Sequence, residues 1–127
     1  VNDYAASGGI SPHKDAPHLF GRPIVSVSLF SNSSLSFGVR RASEARGVPP
    51  VYVHPMLRGE ATLLRGYSAD NITHAMRSGD LPMRRASVIL RHVFPDAPVL
   101  LDAPTGQTVP LSAVPSRDIG SEQTPPQ

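Results

Sequence analysis

Cysteine is absent from this chain of 127 residues. Its absence excludes a disulfide framework, a thiolate metal site and a cysteine nucleophile, and leaves any metal to be held by His, Asp or Glu. Long apolar runs are missing as well. No window approaches the roughly 18 consecutive apolar residues of a membrane span, and Val1-Asn2-Asp3-Tyr4 has neither the basic flank nor the apolar stretch of a signal peptide. A soluble, intracellular protein with no membrane partner is expected. Lysine is scarce, since eleven of the 12 cations are Arg. The planar guanidinium suits bidentate contacts to carboxylate or phosphate, so an anionic ligand fits. The abundance of Arg, Ala, Pro and Gly equally fits a GC-rich genome, and composition alone does not choose.

What is present divides the chain. At roughly 100–200 residues per domain, the length allows one domain with a tail. Leu, Ile, Val and Phe make up about a quarter of the residues, enough for a core. Through Val93 there are 11 Lys/Arg against 6 Asp/Glu, a net +5; from Phe94 onward the net is −3, with 7 of the 14 prolines. Such a Pro density removes ladder donors, so residues 94–127 read as a largely disordered tail, with Val99-Leu100-Leu101 the one piece suited to tuck against the body. Residues 1–93 read as short strands. Val25, Val27 and Leu29 alternate with Ser26 and Ser28, Leu35 and Phe37 flank Ser36, and Val51-Tyr52-Val53, Ala61 to Leu64 and Ser87 to Leu90 are brief runs between turn signals. The stretch from Arg40 to Pro50 reads as a surface loop. The pattern predicts an all-β sandwich or barrel.

Three features carry chemistry. In His13-Lys14-Asp15, side chains two apart on a strand point the same way, so imidazole and carboxylate can share a metal. His74 lies in a strand-like run in which Ile72, His74 and Met76 share a face. Two His and one carboxylate form the facial triad of non-haem iron oxygenases, although the set also suits catalytic zinc, and His74 alone also reads as a hydrogen-bonded core histidine. Arg85 and Arg91, six apart, share a strand face with Ser87 and Ile89. An inward Arg is costly unless it meets a carboxylate, which a dicarboxylate cosubstrate would supply; an exposed strand edge is the alternative. His18, His54 and His92 read as loop or surface residues, Arg40, Arg41 and Arg46 as a solvated loop, and Tyr67 as a packing residue.

The order of motifs resembles the AlkB-type Fe(II)/2-oxoglutarate dioxygenases. Asn2-Asp3-Tyr4, His13-Lys14-Asp15, Arg22 to Ser31, Leu35 to Gly38, Gly66 to His74 and Arg85 to Arg91 carry the likeness, closest to the branch that demethylates N6-methyladenosine in RNA. The resemblance implies a double-stranded β-helix, or jelly roll, over residues 1–93. It implies His13, Asp15 and His74 as iron ligands, Asn2 and Tyr4 as hydrogen-bond partners of 2-oxoglutarate, Arg85 as the anchor of its carboxylate, and Arg91 near cosubstrate or substrate. The implied reaction uses O2 and releases formaldehyde, succinate and CO2. The implied partner is single-stranded RNA, with DNA an alternative, and a monomer in nucleus or cytoplasm is expected. A repair demethylase of alkylated DNA or RNA bases, or a non-catalytic metal-binding jelly roll that binds RNA or a protein, are the competing readings. Family members have an upstream segment that supplies much of the nucleotide-recognition lid, expected to be absent here. The animal demethylases have Cys beside the distal His, where Ala75 stands in this chain.

Overall fold

A computed structural model describes residues 1–40, 47–102 and 104–114. The chain divides into two compact units, Val1–Val93 and Phe94–Gln127. In the first, the described strands are β1 (Asn2–Tyr4), β2 (Ile10–His13), β3 (Ile24–Leu29), β4 (Ser33–Phe37), β5 (Tyr52–Met56), β6 (Ala61–Leu64), β7 (His74–Met76) and β8 (Arg85–Leu90). They form two antiparallel four-stranded sheets, ordered β1-β8-β3-β6 and β2-β7-β4-β5. This is the all-β jelly roll that the short alternating runs and the resemblance predict.

Period-2 alternation explains which side chains meet inside. On β3, Ile24 and Ser28 are buried, and on β8 so are Arg85 and Ser87. Val25, Val27 and Leu29 take the opposite face, paired in register with Leu90, Val88 and Ala86. The interior of this sheet is therefore unusually polar. Apolar packing comes from Ile24, Leu35, Phe37, Met56, Leu64, Met76 and Leu81, which form one core cluster. Pro55 sits in β5, where the missing N–H is tolerated because β5 is an edge strand. At the end of β4, Gly38 has φ +74°, and a Cβ there would stand 2.5 Å from Val51 Cγ2. Only glycine fits that turn.

Several expectations are corrected. His54 lies inside β5, half-buried, and not at a strand end on the surface. The run before His74 is not continuous strand: Tyr67–Asp70 forms a single helical turn, α1, and β7 begins only at His74. The second unit holds a hairpin of β9 (Pro98–Asp102) and β10 (Gln107–Pro110) where disorder is expected. Pro98 and Pro110 pair at its end, and in a two-stranded ribbon each strand has a free edge that needs no proline donor. Residues 115–127 lie outside the described residues, as do 41–46 of the expected surface loop. Among the described residues no helix is long and apolar enough to cross a membrane.

Candidate metal centre

Strand pairing brings the two histidines together. His13 closes β2, His74 opens β7, and they are register partners across an antiparallel pair, with ring centroids 4.4 Å apart. Asp15 follows just past the end of β2, where the chain turns, and its Oδ2 lies 3.6 Å from His74 Nε2. One ligand atom from each of His13, Asp15 and His74 lies within 4.8 Å of the others.

Protonation suits the donors to a metal. His13 Nδ1 is 2.8 Å from the Ser11 carbonyl oxygen. A carbonyl can only accept, so Nδ1 carries a proton and Nε2 is the atom left to face a metal. Burial, then the nearby His13, hold the His74 pKa down at about 4, Arg91 and Arg22 adding to the effect and Asp15 opposing it. His74 is therefore a neutral donor at neutral pH. Two imidazoles and one carboxylate fit a divalent transition metal.

The centre opens on a cavity that Asn2, Tyr4, Arg85, Ser87 and Arg91 also line. Tyr4 and Asn2 pair in register with Arg85 and Ser87, and the Asn2 amide donates to Tyr4 Oη at 3.1 Å. Arg85 is 1% exposed. Its Nη2 donates to Ser28 Oγ at 3.0 Å, its Nη1 lies 3.5 Å from Met76 Sδ, and its Nε has no partner. Among the described residues no carboxylate pairs with it. Burial pushes its pKa down. A buried guanidinium so placed is costly alone and gains most from an anion brought into the cavity. All seven residues that the sequence nominates thus meet at one cavity. The Arg91 Nη2 and Nε lie 2.8 and 3.0 Å from Asp15 Oδ1, with its guanidinium over the Phe20 ring.

No family model matches the chain. Proteins named RNA demethylase ALKBH5 do. The one from Xenopus tropicalis is 48% identical over 101 residues, covering 79% of this chain and 28% of its own length. That of Rattus norvegicus is 43% identical over 127 residues, 98% of this chain and 32% of its own. That of Bos taurus is 48% identical over 101 residues, 79% and 26%. The chain is similar to the RNA demethylases named ALKBH5. It spans under a third of the length of these ALKBH5 relatives.

Within the span shared with ALKBH5, one supporting residue escapes sequence reasoning. Arg22 donates from Nη2 to the Asp15 carbonyl at 2.8 Å, from Nη1 to the Phe20 carbonyl at 3.0 Å and from Nε to Asp70 Oδ1 at 2.9 Å. It ties the loop bearing Asp15 to α1, whose chain leads into His74. A second network has no signal in the sequence beyond a turn: the buried Asp80 accepts from Ser36 Oγ, the Arg77 backbone N–H and the Arg77 guanidinium, fastening the exit of β7 to β4. His18, His92 and Arg40 are exposed and Arg41 and Arg46 lie outside the described residues. Tyr67 does not pack inside as expected: it is 70% exposed.

Proposed function

We propose that this chain is the metal- and cosubstrate-binding core of an oxidative RNA demethylase. It would use Fe(II), 2-oxoglutarate and O2 to remove the methyl group of N6-methyladenosine in single-stranded RNA, with release of formaldehyde, succinate and CO2. One observation carries the reading: the face formed by His13, Asp15 and His74 opens on the cavity in which a buried Arg85 has no carboxylate partner among the described residues. A metal at the three donors and a dicarboxylate between that metal and Arg85 satisfy both at once. The donor set by itself would also suit zinc; the cationic anchor at Arg85 favours the dicarboxylate-dependent reading. The relatives' name, RNA demethylase, supports the substrate class.

Bound iron would supply the oxidising chemistry. The chain's own share is positioning. His13 and His74 offer nitrogen donors, and Arg91 aims the Asp15 carboxylate by holding Oδ1. Arg85 receives the far carboxylate of 2-oxoglutarate, with Asn2 and Tyr4 as hydrogen-bonding partners on β1. Ile24, Leu35 and Leu64 on the cavity wall limit water. The methylated base must be unpaired or flipped to reach the centre. The test is formaldehyde and succinate release from an RNA oligonucleotide containing N6-methyladenosine, with Fe(II), 2-oxoglutarate and air. Both products are expected from the unaltered chain and neither from His13→Ala or His74→Ala; full release by both variants contradicts the assignment.

A further inference from the structure

A second concavity of about 390 Å³ opens where the two sheets part, between edge strands β5 and β6 with α1 beside them. That volume falls in the roughly 300–1,000 Å³ range of small-molecule sites. Its walls include Phe37, Tyr52, His54, Leu63, Tyr67 and Ile72, and no acidic side chain is among the described residues that line it. Tyr52 and Tyr67 are 55% and 70% exposed. Rings step in series from the metal centre to this groove. His74 and Phe37 have centroids 6.3 Å apart, Phe37 and Tyr52 stack at 6.1 Å and 27°, and Tyr52 and His54 follow at 6.2 Å. Thr62 and Leu64 line both the groove and the metal-facing cavity, so the two share a wall.

We propose that this groove is a stacking site for an unpaired nucleobase, taking a base that neighbours the one presented to the metal centre. The proposal rests on the RNA reading above and deepens it. Exposed tyrosine rings over apolar walls offer stacking faces that any base can use, which is how single-stranded nucleic acid is held without base-edge readout. Charge agrees: exposed Arg65 lies in the chain between Leu64 and Tyr67, and residues 1–93 carry a net +5. Phosphates that flank a stacked base would meet a cationic rim.

The experiment uses the whole chain, a short single-stranded RNA carrying 2-aminopurine beside N6-methyladenosine, and the same RNA with an abasic site in place of the 2-aminopurine. Binding is expected to quench the 2-aminopurine. Tyr52→Ala and Tyr67→Ala should each weaken the complex roughly five- to a hundredfold, while Tyr52→Phe retains affinity. The abasic RNA should bind more weakly and be insensitive to Tyr52→Ala, an outcome that a merely structural role for the ring would not give. Equal affinity of the unaltered chain and both alanine variants overturns the groove while leaving the RNA reading standing. Loss that is identical for the base-containing and abasic RNAs also overturns it. No RNA binding by the unaltered chain overturns both.

Discussion

His74 gives the centre its pH dependence. In the unfolded chain the ring protonates near 6.5, but in the folded chain burial and His13 delay protonation to about 4. Between those values the unfolded state binds more protons, so stability rises with pH. The contribution is fully present above pH 6.5 and is lost as the pH falls toward 4, with a full extent of about 3 kcal/mol. The metal-free chain should melt at lower temperature at pH 4.5 than at pH 7, and His74→Gln should flatten that slope; parallel slopes contradict the account. Arg85 makes the complementary case. It is buried without a counter-ion among the described residues, so Arg85→Met should leave the melting temperature of the metal-free chain unchanged or raised, while abolishing the extra stability conferred by 2-oxoglutarate with metal. Arg85→Lys keeps charge but not the fork, and should weaken cosubstrate binding by about 2–5 kcal/mol, roughly 30-fold or more. A melting curve with and without 2-oxoglutarate reads both variants, and undiminished stabilisation in either removes the anchor role.

The elements hold these residues through contacts that do not all leave a trace in sequence. Arg22 joins the Asp15 loop to α1, so Arg22→Gln should lower metal affinity roughly tenfold, as loss of a partner behind the ligands commonly does. Asp70→Asn should add little in the Arg22→Gln background, because both changes break the same link. Calorimetric titration with Mn(II) measures this, and fully additive losses contradict the clamp. The strands were legible because alternation marks β3 and β4 and brief apolar runs between turns mark β5, β6 and β8. That His13, Asp15, His74, Arg85 and Arg91 meet at one cavity was legible because their order along the chain carries the family likeness. Arg22 was not, since two of its three partners are backbone carbonyls, which have no residue identity, and the third lies 48 positions away. Nor was α1: at four residues it is too short for a helical period and depends on Gly66 at φ +53° and on Ser68 Oγ donating to the Arg65 carbonyl. The β9–β10 hairpin was hidden by prolines that in fact occupy its end.

At the scale of the whole molecule, the basic first unit and the acidic, Pro-rich second unit divide at Val93. If the second unit is dispensable to the centre, a chain ended at Val93 should retain Mn(II) binding. It should bind RNA equally or slightly better at low salt, with the difference fading where the Debye length nears roughly 8 Å. Loss of folding, or a marked fall in RNA affinity, contradicts that division. The central claim is that His13, Asp15 and His74 hold a metal that, with Arg85, holds 2-oxoglutarate. Calorimetric titration with Mn(II) and then 2-oxoglutarate tests it most directly. The account predicts that the unaltered chain binds 2-oxoglutarate only after the metal, that His13→Ala binds neither, and that Arg85→Met binds the metal but not 2-oxoglutarate. Metal binding that is unchanged in His13→Ala, or 2-oxoglutarate binding that is unchanged in Arg85→Met, would contradict it.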